Sequence, residues 1–157
     1  MLAVLKERCD DEGMADPHVP IAHLSDDECW ALLVSNSFGR LVVTIGGRAE
    51  IFPVNYHAGE GSILFRTAEG TKLFGLTVNR DVVFEIDDHD GATGWSVVAR
   101  GEARVLTTTE ELSEAQAAPL EPWTATVKRN FVRIHVTEVS GRRASFGPEP
   151  DTALIDF

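Results

Sequence analysis

The residues best suited to bind a ligand lie in the run Arg66-Thr67-Ala68-Glu69-Gly70-Thr71-Lys72. The pattern reads as a strand ending on Arg66 and Thr67, a tight turn through Gly70, and a helix capped at its start by Thr71. That order gathers a guanidinium, two hydroxyls, an ammonium and the free amides of a helix N-terminus in one small volume, a donor set that suits a phosphate monoester. The same residues also suit a solvent-facing turn whose bases merely offset Glu69. The run has neither the spacing of a Walker A loop nor a dinucleotide glycine fingerprint.

Two other segments could meet a ligand. In Phe52-Pro53-Val54-Asn55-Tyr56, a proline, an amide and flanking aromatics on one strand would offer a planar heterocycle an apolar surface with one hydrogen-bonding group; aromatic cross-strand pairing explains the same residues. Pro53 removes a ladder donor, which places it at an edge, a bulge or a point of ligand approach. Gly94-Trp95-Ser96-Val97 opens a long strand, and its tryptophan is either a core plug or a surface for a ligand or partner subunit. Metal and hydrolytic chemistry find little support. The five histidines, His18, His23, His57, His89 and His135, are scattered, and there is no HExxH, CxxC or GxSxG. Asp87-Asp88-His89-Asp90 lacks the calcium-loop pattern and reads as a solvated turn.

The elements that must position these residues are mostly strands. Ser25-Asp26-Asp27-Glu28 matches a capping box, followed by a short amphipathic helix carrying Cys29, Leu32 and Leu33 and ending near Asn36. Leu41 to Ile45 and Ala49 to Tyr56 flank Gly46-Gly47 as a hairpin. Ser62 to Thr67, Asp81 to Asp87, Trp95 to Leu106 and Asn130 to Val139 are further strands. Short helices are expected over Thr71 to Asn79 and from a Thr108 or Thr109 cap through Ala118. Six strands joined by such brief connections predict a mainly β fold, a closed or nearly closed six-stranded antiparallel β-barrel with short helices. Residues 1–23 read as an N-terminal arm, 24–148 as the folded domain, and 149–157 as an acidic tail.

The chain has 157 residues, 43% hydrophobic and 25% charged, which suits one globular domain. Its net charge of -11 argues against nucleic acid and anionic membrane as partners. The acidity is uneven: residues 1–30 carry two bases and eight acids, whereas the remainder carries 12 bases and 17 acids, a net of only -5. No stretch reads as a secretory signal or a membrane-spanning helix, and Cys9 and Cys29 do not make a disulfide framework, so a cytoplasmic location is expected.

Taken in order, Phe38-Gly39-Arg40-Leu41, Pro53-Val54-Asn55-Tyr56, Phe65-Arg66-Thr67 with Gly70-Thr71-Lys72, Val83-Phe84-Glu85-Ile86-Asp87, and Gly94-Trp95-Ser96-Val97 with Arg100-Gly101 closely resemble the pyridoxamine 5'-phosphate oxidase-like proteins, in particular their small actinobacterial-type members. The resemblance covers roughly Leu24 to Pro148. It implies a split β-barrel that binds FMN at the interface of a homodimer. By position it assigns Arg66, Thr67, Thr71 and Lys72 to the phosphate and Pro53, Val54 and Asn55 to the isoalloxazine, with Trp95, Ser96 and Val97 approaching from the partner subunit. Tyr56, His57 and Arg100 are the polar side chains expected near the ring. The C-terminal Gly141-Arg142-Arg143 segment departs from the oxidases' basic substrate-binding end: its arginines are either a remnant of that site or a surface turn. The leading expectation is therefore an FMN-dependent oxidoreductase with a substrate other than a B6 vitamer. The alternatives are a non-catalytic flavin carrier or sensor, and F420 or haem binding in the same cleft.

Overall fold

The computed structural model describes residues 20–120 and 127–148; the acidic tail and nearly all of the arm lie outside them. The first element is a short strand, β1 (Ile21–Leu24), followed by helix α1 (Asp26–Ser35). The capping box is formed: the Ser25 amide donates to Glu28 Oε2 at 2.7 Å, and the Glu28 amide donates to Ser25 Oγ at 3.3 Å. Asp26, Asp27 and Glu28 place negative charge at the helix's positive end. Regular structure thus begins at Ile21, inside the stretch read as an N-terminal arm. Four residues are too few to show a strand period, and β1 exists because a longer strand offers it an edge.

Strands β2 (Phe38–Ile45) and β3 (Arg48–Gly59) form the expected hairpin. Gly46 and Gly47 have φ of 56° and 79°, the left-handed pair that a tight two-residue turn requires. After β4 (Ser62–Thr67) comes α2 (Thr71–Val78). The residue before this helix is Gly70, at φ 145°, with no side-chain cap; Thr71 is the first helical residue and not the cap expected of it. A backbone at that φ excludes threonine and favours glycine, so the turn fixes where the helix begins. Then follow β5 (Asp81–His89), β6 (Thr93–Val105), α3 (Thr109–Ala117) and β7 (Asn130–Ser145). Thr108 caps α3 by accepting from the Glu111 amide at 3.3 Å.

All strand pairings are antiparallel, and they close on themselves: β3 lies between β2 and β4, β4 reaches β7, β7 reaches β6, β6 reaches β5, and β5 returns to β2. This is the six-stranded barrel the sequence predicts, with β1 as a seventh strand added to β7. Leu41, Ile63, Phe65, Phe84, Val97, Val132 and Ile134 are fully or almost fully shielded and fill the interior. Cys29 and Leu33 of α1 join them, and the buried Tyr56 hydroxyl donates to the Leu33 carbonyl at 2.8 Å, tying helix to barrel. A smaller cluster, Leu64, Leu106, Ala115 and Phe131, holds α3 against the outside of β4 and β7. No described helix is long and apolar enough to cross a membrane.

The barrel wall is tightest where β2 meets β5. A Cβ on Gly39 would stand 2.5 Å from the Phe84 ring and 2.8 Å from the Glu85 carbonyl oxygen, and backbone cannot yield there. Gly39→Ala should therefore destabilise the protein by about 1–3 kcal/mol, as overpacking does. Gly59→Ala, with nothing near its Cβ, should move the midpoint of thermal unfolding little by comparison. Equal melting temperatures for the two variants would contradict this packing.

Candidate functional site

Strand β4 and the start of α2 bring the first group of candidate residues together. Arg66 and Thr67 pair with Phe131 and Asn130 of β7. The Arg66 guanidinium lies 4.9 Å from the centroid of the Phe131 ring, and its Nη2 donates to the Lys128 carbonyl at 2.7 Å, while its Nε is buried and has no partner among the described residues. Thr67 is buried and its hydroxyl donates to the Ala68 carbonyl at 3.1 Å. Thr71 is exposed at the first position of α2, where the leading amides have no intrahelical acceptor. Lys72 follows, half-buried, with Nζ 5.3 Å from the Phe52 ring centroid. Burial pushes the Lys72 ammonium's pKa down, and the nearby Lys128 charge adds to the effect.

This corner gathers several cations without neutralising charge. Arg40, Arg80, Arg100, Arg104 and Arg133 each pair with a carboxylate. Among the described residues, Arg66, Lys72, Lys128 and Arg129 form no ion pair, and neither do Arg48 at the start of β3 nor Arg142 and Arg143 in β7. Lys128 was not visible as a site residue in the sequence, since only the β4–β7 register sets it beside Arg66. The one available signal was the Lys128-Arg129 pair standing directly before an apolar strand.

The second group lies on β3. The β3–β4 ladder runs only from Tyr56↔Phe65 to Gly59↔Ser62, so Pro53 has β2 on one side, opposite Arg40, and an open edge on the other. That explains how the sheet tolerates a residue without an amide proton. Pro53 is exposed and Asn55 half-buried on the outer face. Val54, between them, turns inward and is 5% exposed within the core, so only its backbone can line a surface shared with Pro53 and Asn55.

The third group is elsewhere in this chain. Trp95, Ser96 and Val97 pair with Arg143, Arg142 and Gly141 near the far end of β7. Trp95 is half-buried and packs against the core cluster; Val97 lies within it. Their partners on β7 stand ten or more residues beyond Phe131, the partner of Arg66. One chain shows no hydrogen bond or ion pair between the Trp95 segment and Arg66 or Lys72 among the described residues. Nor does it bring the three polar candidates to one place. Tyr56 is a core residue whose phenol is pushed well above its usual pKa by burial. His57 lines a cavity of about 420 Å³ with Glu60, Glu114 and Arg133, and Arg100 is exposed and paired with Glu138 at 3.5 Å. Arg142 and Arg143 lie in β7, between β1 and β6, and not in a surface turn. Among the described residues no group of three or more His, Cys, Asp or Glu is placed to hold a metal.

Comparison with known proteins settles the lineage. The family profile described as pyridoxamine 5'-phosphate oxidase matches residues 25–143, most of the chain. The chain belongs to the pyridoxamine 5'-phosphate oxidase family. Its barrel is similar to that of a Corynebacterium glutamicum protein named as a candidate pyridoxamine 5'-phosphate oxidase, with a TM-score of 0.76 and 40% identity, covering 87% of this chain and 100% of the other. It also matches the FAD-binding protein of Mycobacterium smegmatis at a TM-score of 0.69 and 45% identity, covering 79% and 98% of the two chains. A Mycobacterium tuberculosis protein is 53% identical over 90 residues, 57% of this chain and 82% of its own length.

The unpaired, half-buried Lys72 makes a prediction independent of any assigned activity. A lysine whose pKa is lower in the folded than in the unfolded chain weakens folding below the lower value, and that loss is recovered as pH rises towards 10.5. Lys72→Met should thus raise the neutral-pH melting temperature of the ligand-free protein, with the gain fading towards pH 10.5. Inorganic phosphate should stabilise the parent more than this variant. A destabilised Lys72→Met protein at neutral pH would show that Lys72 has an anionic partner already.

Proposed function

We propose that this member of the family binds a flavin as a homodimer and works as a flavin-dependent oxidoreductase. The observation that carries the reading is the corner of Arg66, Lys72 and the start of α2, rich in cations and free of described carboxylate partners on a chain of net charge -11. Such a corner favours a dianionic phosphate through charge-assisted hydrogen bonds and the helix's positive end, even against the global field. The resemblance assigns the same residues to the FMN phosphate, and the Mycobacterium smegmatis relative is named as FAD-binding. The FMN moiety is common to both nucleotides.

Within this reading, Arg66, Thr71 and Lys72 hold the 5'-phosphate. Thr67 is already turned towards the Ala68 carbonyl and would donate to a phosphate only by rotating its hydroxyl. Pro53, the Val54 backbone and Asn55 line the ring on the open edge of β3. When bound, the isoalloxazine supplies the redox chemistry by taking up and releasing hydride equivalents, while the chain binds, orients and shields it. The resemblance gives Trp95, Ser96 and Val97 at the ring to the partner subunit, and this reading takes a second copy of the chain as their source. Exposed Val34, Phe38, Ile51, Phe74 and Val78 on α1, β2, β3 and α2 supply apolar surface for such an association.

Two measurements test this. Apoprotein titrated with FMN should show the visible bands of a bound oxidised flavin. Lys72→Ala should then weaken FMN by about ten- to hundredfold, the worth of one charge-assisted hydrogen bond, while changing riboflavin little. Equal losses for both would place Lys72 away from the phosphate. Co-expression of Lys72→Ala and Trp95→Ala chains under separate tags should give a mixed dimer with one intact site, and hence half the flavin of the parent dimer. A mixed dimer as empty as either variant alone would contradict a site shared between chains.

A further inference from the structure

We propose that the cavity between the β3–β4 turn and the end of α3 is a ligand site of its own, and that it takes a free aliphatic α-amino acid as its zwitterion. The cavity holds about 420 Å³ and shares no residue with the Arg66-to-Lys72 corner, with Pro53 to Asn55 or with Trp95 to Val97. Its volume falls within the range of about 300 to 1,000 Å³ usual for small-molecule sites. Four elements meet around it: β3, β4, α3 and β7. The strand registers set His57, Leu64 and Arg133 in one row, which makes the buried Leu64 a floor between the other two.

Part of the lining is negative. Glu60 and Glu114 both contribute to it, and α3 ends here at Ala117 without a basic residue in its last turn, so the final carbonyls present the helix's negative end uncompensated. Glu60 has φ of 51°, the one left-handed backbone among the described non-glycine residues, at a turn that asparagine or glycine would fit with less strain. An ammonium group is the complement of these features. A bare metal ion is not, because no described group of three His, Cys, Asp or Glu is placed to hold one. Arg133 supplies the opposite charge. Its guanidinium stands 3.9 Å from Glu114, beyond hydrogen-bond length, and its side chain is 29% exposed, so Glu114 keeps it at the cavity without using its donors. Such a fork binds a carboxylate through two parallel hydrogen bonds. Leu64, Ala117 and Pro119 are apolar and give an aliphatic side chain its contact. Ammonium, carboxylate and a short hydrocarbon chain on one small frame describe an aliphatic amino acid.

The test titrates the full chain by calorimetry with three compounds of one carbon frame: L-leucine, isopentylamine, which lacks the carboxylate, and isocaproate, which lacks the ammonium. L-leucine should bind at least about tenfold more tightly than either fragment, the ratio that one charge-assisted contact supplies. Arg133→Gln should remove the advantage of L-leucine over isopentylamine, and Glu60→Gln should narrow its advantage over isocaproate. Lys72→Ala should leave all three affinities unchanged, which separates this site from the phosphate-type corner. Thermal melts confirm that the variants fold; should Arg133→Gln fail to, Glu60→Gln alters only an exposed turn residue and still reads the ammonium contact. Equal affinity for the three compounds would reduce the cavity to an apolar hollow and overturn the proposal. So would the absence of binding by L-leucine, L-valine and L-alanine at millimolar concentration, or an L-leucine affinity that neither Arg133→Gln nor Glu60→Gln changes.

Discussion

Much of this molecule follows from the length of β7. Its sixteen residues carry β6 along one edge for nearly their full run, while the other edge is divided, with β4 on Asn130 to His135 and β1 on Gly141 to Ala144. A strand this long cannot lie in one small barrel wall without neighbours for both halves, because each bare edge would expose a row of unpaired amides and carbonyls. The barrel closes on the first half and β1 covers the second. The same strand carries Phe131, the partner of Arg66, in its first half and Arg143, the partner of Trp95, in its second, so β7 ties both segments of the proposed cofactor site into one wall.

Charge is organised by the same framework. Around β5, β6, β7 and α3, arginines pair with glutamates: Arg80 with Glu102, Arg100 with Glu138, Arg104 with Glu111, and Arg133 with Glu114. These exposed pairs contribute little stability individually. Their effect is to cancel cationic charge locally, so that among the described residues cations without an ion pair remain at the β4–α2 corner and at Arg48, Arg142 and Arg143. On a chain of net charge -11, a long polyanion would meet repulsion over most of the surface, whereas a compact phosphate meets only its immediate surroundings within a Debye length of about 8 Å.

The sequence showed the elements more clearly than it showed which side chains meet. Local rules sufficed for the Ser25 capping box, the Gly46-Gly47 turn, the Thr108 cap and the six barrel strands, because each depends on residues within a few positions of one another. They failed where tertiary context decides. Ile21 to Leu24 carries no recognisable strand period and is a strand only because β7 has a free edge. Thr71 has the right chemistry for a cap, but the φ of 145° at Gly70 puts the boundary one residue earlier. Within the candidate site, the Arg66-to-Lys72 cluster was legible as a run, and Pro53 signalled an edge, a bulge or a ligand approach, of which the β3–β4 ladder shows the edge. The strand alternation that sends Val54 inward was legible too, yet a consecutive motif invites reading its three residues as one surface. Lys128 could not be found without the register that sets β7 against β4, a pairing between residues more than sixty positions apart.

The half-buried Lys72 and the orphaned Arg66 Nε are features that folding alone does not favour. A buried donor without an acceptor costs about 1–3 kcal/mol, and a desolvated ammonium facing a second one adds to that. A barrel selected only for stability would have placed a carboxylate here, as it does for Arg40 with Glu85 and Asp87. Instead the surrounding structure fixes the geometry from several sides: Phe131 under the guanidinium, the Lys128 carbonyl on Nη2, Phe52 beside the Lys72 ammonium, and Gly70 setting the start of α2. If the proposed phosphate binds here, holding like charges in place beforehand spares it the work of ordering them, and the cost borne by the fold is returned on binding. Local instability of this kind, maintained by rigid neighbours, is a better marker of a binding site than the basic residues themselves.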